Sequence, residues 1–206
     1  MLTSGGLDSA VLLHRVRMSR RRIVPLYVRC GLRWETAELH WLRRYLHAIR
    51  APGLSPLLVV DTPVRSLYGA HWSLTGRGVP SARSADRAVY LPGRNLLLLS
   101  AAGIVCAQQR LSTIALGILK GNPFGDASLP FLAQMARCLT QALRRSIRII
   151  APLHRSSKSD LLRASRTIPV ELTFSCVQPR GRRHCGRCNK CAERAKAFRA
   201  AGLSGW

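Results

Sequence analysis

The chain opens on Thr3-Ser4-Gly5-Gly6-Leu7-Asp8-Ser9, residue types whose spacing suits a bound phosphate. Two adjacent glycines allow a tight turn with no Cβ in the way, so backbone N–H groups can approach phosphate oxygens. A helix starting near Asp8 would aim its positive end at the same point. Ser4 and Ser9 add hydroxyls. Asp8 can cap the helix, orient a metal-bound water or hold Mg²⁺ through one carboxylate. The Walker string ending in Gly-Lys-Ser/Thr is absent, which disfavours that class of ATPase.

At the other end Cys176, Cys185, Cys188 and Cys191 follow the spacing C-x8-C-x2-C-x2-C. Four thiolates in one short segment suit tetrahedral Zn²⁺, and Gly186 permits the sharp turn between two of them. Arg182, Arg183, Arg187 and Lys190 offset the charge of such a centre. An iron–sulfur site competes, although its usual fourth cysteine lies downstream and precedes a proline. Disulfides are the third reading, and a reducing compartment disfavours them. His184 lies beside the ligands and is expected to support them rather than replace one. Cys30, Cys106 and Cys138 sit in apolar runs and are expected to be inert core thiols.

A chain of 206 residues that is 47% hydrophobic can bury a full core, which excludes disordered and fibrous classes. The net charge of +24 would suit a polyanion such as RNA. Yet 29 of the 33 basic residues are Arg, spread along the whole chain, as a GC-rich coding bias would give. The longest apolar run, residues 96–107, is about half the ~20 residues that a membrane span needs. No signal peptide is visible, so a cytoplasmic protein is expected.

Elements that position these groups alternate between strand and helix. Strands are expected over residues 23–28, 57–61, 113–118 and 147–151. Helices are expected over residues 36–49, 95–109, 129–143, 157–164 and 189–201. Residues 63–92 form a long connection, of a length that is usually functional. Such alternation gives an α/β fold, a Rossmann-like parallel sheet with helices on both faces. The expected division is a nucleotide-binding domain over residues 1–170 and a four-cysteine segment over 171–206. Only Met1 and Leu2 precede Thr3, so the strand that should lead into the glycine loop is expected to be nearly missing, with more of it encoded upstream or lost.

The loop resembles the pyrophosphate-binding loop of the ATP pyrophosphatases. With both ends considered, the chain resembles the 7-cyano-7-deazaguanine synthase (QueC/ExsB) family. That resemblance spans nearly the whole length. It rests on Ser4-Gly5-Gly6-Leu7-Asp8-Ser9, Leu91-Pro92-Gly93-Arg94-Asn95, Ala151-Pro152-Leu153 with Ser157-Lys158-Ser159, Thr173-Phe174-Ser175-Cys176, and the closing cysteines with Arg194 and Phe198. It implies an adenine nucleotide alpha hydrolase-like fold and a C–N ligase that uses ATP, Mg²⁺ and a structural Zn²⁺. The implied substrates are 7-carboxy-7-deazaguanine and ammonia. Thr3 to Ser9 would hold ATP, and Asp8, Arg94 and Lys158 would serve catalysis. Arg94, Asn95 and Asp126 would meet the substrate, Asp126 being the one acidic counterpart in residues 120–126. Trp72 in the long connection is a further candidate to touch it. A homodimer is compatible with this reading, and nucleic acid is not favoured. Two alternatives remain: an RNA-modifying adenylating enzyme such as a tRNA thiolase, and a non-enzymatic zinc module that binds nucleic acid.

Overall fold

The structure is a computed structural model that describes residues 1–17, 22–163 and 167–203. In chain order the elements are α1 (Leu7–Arg17), β1 (Leu26–Arg29), α2 (Glu35–Ala48), β2 (Leu58–Asp61), α3 (Arg65–Tyr68), α4 (Trp72–Thr75), α5 (Arg94–Gln108), β3 (Thr113–Ala115), α6 (Leu129–Leu143), β4 (Arg148–Ile150), α7 (Lys158–Arg163) and α8 (Asn189–Ala200). Each expected strand and helix is present, and α6 has the expected limits. The strands are shorter than expected. Pro25 has no N–H to donate, so β1 begins after it. The expected third strand stops at Ala115, just before Gly117 passes against the start of α1. Ala164 and residues 204–206, the ends of two expected segments, lie outside the described residues.

β1 pairs in parallel with β2, Leu26 opposite Leu58 and Arg29 opposite Asp61. β3 pairs in parallel with β4, Thr113 opposite Arg148. Residues 1–3 stitch the two pairs together. Leu26 N–H donates to Met1 O at 2.8 Å and Thr3 N–H to Leu26 O at 2.8 Å, while Leu2 N–H donates to Ala115 O at 2.9 Å. The spatial order is therefore β2, β1, residues 1–3, β3, β4. The position expected to be nearly empty is filled by three residues hydrogen-bonded on both sides. Their Cα path leads straight into the glycine loop, at the point where the strand order reverses. That point is where open α/β sheets bind ligands.

Apolar residues pack on both faces, as the alternation requires. One core joins Leu26 and Val28 of β1 with Leu99 of α5, Leu132 and Leu139 of α6, and Phe174. The other joins Val11 and Leu12 of α1 with Tyr45 of α2, Leu161 of α7 and Phe198 of α8. Tyr45 Oη donates to Ala10 O at 2.7 Å and so locks α2 onto α1. Cys30 and Cys106 are buried as expected, but Cys138 is exposed. On α6 the buried stripe is Leu132, Met135 and Leu139, and Cys138 falls beside it on the solvent side.

The long connection is more ordered than its lack of periodicity suggested. It holds α3, α4 and a 3₁₀ turn at Asp86–Val89. It also docks on the cysteine segment: Asn189 N–H donates to Pro80 O at 3.0 Å, Ala82 N–H to Arg187 O at 2.9 Å, and Asn189 Nδ2 to Ser84 O at 2.8 Å.

Candidate active site

A cavity of about 310 Å³ opens at the strand-order reversal. Its floor is the glycine loop. Gly5 adopts φ +76°, and a Cβ there would stand 3.2 Å from Leu42 Cβ and 3.3 Å from Glu38 O. Only glycine meets both demands without strain. The loop is tied internally. Ser4 N–H donates to Ser9 Oγ at 3.3 Å, Ser9 Oγ to Gly6 O at 3.0 Å, and Gly6 N–H to Ser4 Oγ at 3.2 Å. From outside, Phe174 N–H holds Gly5 O at 2.8 Å. Thr3 Oγ1 donates to Leu26 O, and Leu7 is buried. Those two side chains brace the loop, and Thr3, Ser4, Gly6, Leu7, Asp8 and Ser9 all line the cavity.

Asp8 and Lys158 meet on the cavity wall. Lys158 Nζ stands 3.6 Å from Asp8 Oδ1 and 2.5 Å from Glu193 Oε1. Glu193 also takes Lys190 Nζ. Burial alone would depress the Lys158 ammonium, but Asp8 and Glu193 outweigh it and hold it above its ordinary value. Burial opposes ionisation of Glu193 too, yet Lys158 and Lys190 together pull it down to about 2. Asp8 is less well compensated. Burial raises it despite Lys158, and its Oδ1 is buried with no hydrogen-bond partner. A carboxylate oxygen left in that state fits a divalent cation, which prefers hard oxygen ligands.

Another part of the lining is aromatic. Trp34 stacks on Trp72 with ring centroids 5.8 Å apart, and Tyr90 on Phe124 at 5.1 Å. All four line the cavity. Arg94 opens α5 behind Gly93 at φ +66°, and its Nε is buried without a partner. Gly93 has no side chain to cap α5, and Asp126 supplies the cap from another segment: Asn95 N–H donates to Asp126 Oδ2 at 3.0 Å. Asn95 Nδ2 reaches Asp126 Oδ1 at 3.4 Å. The structure thus brings Arg94, Asn95 and Asp126 together, with the Asp126 carboxylate occupied by the helix start. Glu38 also lines the cavity. Burial pushes its carboxyl up to about 7, against the pull of Arg94 and the 2.7 Å hydrogen bond from Tyr27 Oη.

The cysteine cluster sits beside this cavity rather than in it. Its four Sγ atoms lie within 4.8 Å of one another. One tetrahedral ion with sulfurs at about 2.3 Å sets them roughly 3.8 Å apart. Cys176 and Cys188 are 3.9 Å apart, as are Cys185 and Cys191. A multi-iron cluster would have to hold its ligands further apart, so the cage fits a single ion. N–H groups of Gln178 and Cys185 point at Cys176 Sγ at 3.3 Å, which suits a thiolate. His184 accepts from Ser175 N–H at 3.2 Å and stays outside the sulfur cage, as expected.

Residues 1–202 match the family model described as "Queuosine biosynthesis protein QueC". The chain belongs to the QueC family. A relative from Desulfitobacterium hafniense, 7-cyano-7-deazaguanine synthase 1, is 30% identical over 96% of this chain and 90% of its own length. The enzyme of that name from Mesorhizobium japonicum is 33% identical over 99% and 90%. QueC relatives of this name are ligases, and the chain shares their length. Among solved structures, a 4-thiouridine synthetase–RNA complex with bound ATP is similar at TM-score 0.53 and 15% identity, which shows the fold. It covers 98% of this chain, and the chain spans 49% of that structure. QueC membership thus agrees with the α/β fold, the glycine loop and the four-cysteine cage. Glu193, Glu38 and Gly117 carry no local sequence signal for the site, and Lys190, expected to offset the charge of the cysteine centre, instead pairs with Glu193; all but Glu193 line the cavity.

Proposed function

We propose that this protein converts 7-carboxy-7-deazaguanine and ammonia to 7-cyano-7-deazaguanine, using ATP, in queuosine biosynthesis. The observation that carries this reading is one cavity lined by both a phosphate-type loop and stacked aromatic side chains, in a QueC-family chain. A flat deazapurine suits the aromatic walls. Arg94, with a buried and unpartnered Nε, suits the acid's carboxylate. Ser4, Gly6 and Ser9 would cradle the pyrophosphate, Asp8 would hold Mg²⁺, and Lys158 would offset charge as the α–β phosphate bond breaks.

In this reading the carboxylate oxygen attacks the α-phosphorus and pyrophosphate leaves. Ammonia then displaces AMP to give the amide. A second activation, at the amide oxygen, ends in loss of that oxygen with AMP and formation of the nitrile. The chain's task is to align the acid with the α-phosphorus and to keep water out. The four thiolates leave no open coordination position, so the ion they hold, Zn²⁺, would be structural. We place the boundary between the nucleotide-binding domain and the cysteine segment near residue 170, and the protein in the cytoplasm.

The test offers the acid, its amide and a simple aromatic acid with ATP and ammonium, and follows AMP release and product mass. AMP release with the first two and formation of the 7-cyano product are expected. Turnover of an unrelated carboxylate alone would overturn the substrate assignment and leave the adenylation chemistry standing.

A further inference from the structure

The cysteine segment does more than pack against the nucleotide-binding domain. Its helix α8 carries Lys190 into the cavity wall and Glu193 just behind it. Glu193 receives both Lys158 Nζ, from α7, and Lys190 Nζ. We infer that Glu193 is a positioning residue for the nucleotide site: it holds Lys158 and Lys190 as a paired cationic clamp for the pyrophosphate end of ATP and keeps Lys158 from hydrogen-bonding to Asp8. This inference rests on the proposed use of ATP.

The geometry supplies the reason. Lys158 lies between two carboxylates, in hydrogen-bond contact with Glu193 and 3.6 Å from Asp8. Asp8 Oδ1 is consequently buried with an ion pair but no hydrogen bond. Without the Glu193 carboxylate, the nearest anion for Lys158 is Asp8, and a slight approach would tighten the 3.6 Å ion pair into a direct hydrogen bond. That bond would spend the oxygen needed for a divalent cation and the ammonium needed for phosphate at once. Lys190 would lose its anchor and regain rotamer freedom. Glu193 sits two residues after Cys191 on the same helix, so an ion held by the thiolates would also fix the clamp.

The sign of one measurement separates this role from a bystander's. Deleting an anion beside a polyphosphate site makes the site more positive, so a bystander Glu193 predicts unchanged or tighter binding on Glu193→Gln. A positioning role predicts the reverse. Binding of α,β-methylene-ATP with Mg²⁺ is measured by calorimetry on metal-loaded protein, with metal content and melting temperature followed alongside. The Kd should rise roughly 10- to 100-fold, the cost of losing one or two charge-assisted contacts. Glu193→Asp should recover part of it, and metal content should stay at the wild-type value. Lys190→Met, which leaves the Lys158–Glu193 pair in place, should raise the Kd by about 10-fold. Combining Glu193→Gln with Lys158→Met should add to Lys158→Met only the share that passes through Lys190, about 10-fold or less, because the Lys158 share is already lost. Unchanged or tighter binding by Glu193→Gln overturns the inference, as does unchanged binding by Lys190→Met should the first variant fail to fold. Wild-type protein that does not bind the analogue at all overturns the use of ATP itself.

Discussion

Gly117→Ala places a methyl group where the structure has no room for one. Its Cβ would stand 2.9 Å from Asp8 C, 3.0 Å from Asp8 O and 3.0 Å from Ser9 N. Ordinary contact starts at 3.4 Å, so the first turn of α1 or the strand end must give by about 0.5 Å. All three atoms belong to one peptide unit, and no side-chain rotation relieves the clash. Overpacking of this kind costs roughly 1–3 kcal/mol of stability. The larger effect is on position, because the displaced peptide carries Asp8 and the loop. A misplacement near 1 Å costs about 100-fold in rate, so half of that predicts a loss of about 10-fold in kcat/KM for ATP. The assay is pyrophosphate release at saturating acid, with a urea melt on the same samples. Gly103→Ala is the contrast. Its Cβ would meet Leu139 Cδ2 at 2.8 Å, between α5 and α6, where a side chain can turn aside. It should lower stability and leave the KM for ATP unchanged. A Gly117→Ala protein within twofold of wild type in kcat/KM would refute the close-approach argument.

Asp8→Ala should abolish ATP turnover while circular dichroism stays unchanged, since the side chain lines the cavity and buries little apolar surface; normal turnover would exclude it from catalysis. Ser9→Ala removes a hydroxyl that bonds both Ser4 N–H and Gly6 O, so both turnover and melting temperature should fall; an unchanged melting temperature would show that the loop holds without it. Purified protein should carry about one Zn²⁺ per chain, and Cys188→Ser should release it and unfold the cysteine segment; an iron chromophore would overturn the zinc assignment. For Glu38, raised from 4.5 to about 7, the unfolded chain ionises first as pH rises, so stability falls between about pH 4.5 and 7 by up to ~3 kcal/mol. Glu38→Gln should remove most of that fall in urea midpoints measured at pH 5 and pH 8; an undiminished fall would place its cause elsewhere.

Much of the fold could be read from the sequence because it rests on local pattern. Leu132, Met135 and Leu139 at spacings of three and four, with Ser128 as cap and Pro130 in the first turn, fix α6 to the residue. The strands were read too long because pairing ends where the chain must meet a neighbour. β3 stops before Gly117, whose approach to α1 is a tertiary fact with no local signature. Residues 1–3 read as too few to supply the leading strand, yet a strand position needs only backbone N–H and C=O groups on both sides. The docking of the long connection on the cysteine segment was invisible for the same reason. Pro80, Ser84 and Arg187 contribute carbonyl oxygens, and every residue has one.

Lys190 and Glu193 left a different kind of trace. In a chain whose basic residues are nearly all arginine, only Lys120, Lys158, Lys190 and Lys196 are lysine. Lys120 and Lys196 are exposed, but Lys158 and Lys190 line the cavity and share one carboxylate. The two cations differ physically. A guanidinium is a broad planar fork, whereas an ammonium is a compact charge that fits a narrow gap between Asp8 and Glu193. The same holds for the acids, nine in the whole chain. Asp8, Glu38 and Asp126 line the cavity and Glu193 backs it, while the arginine excess spreads along the chain. A strongly biased composition therefore sharpens a sequence reading. Residues that conform to the bias say little about function, whereas two of the four lysines and four of the nine acids stand at the cavity, where a guanidinium could not replace an ammonium or a carboxylate could not be spared.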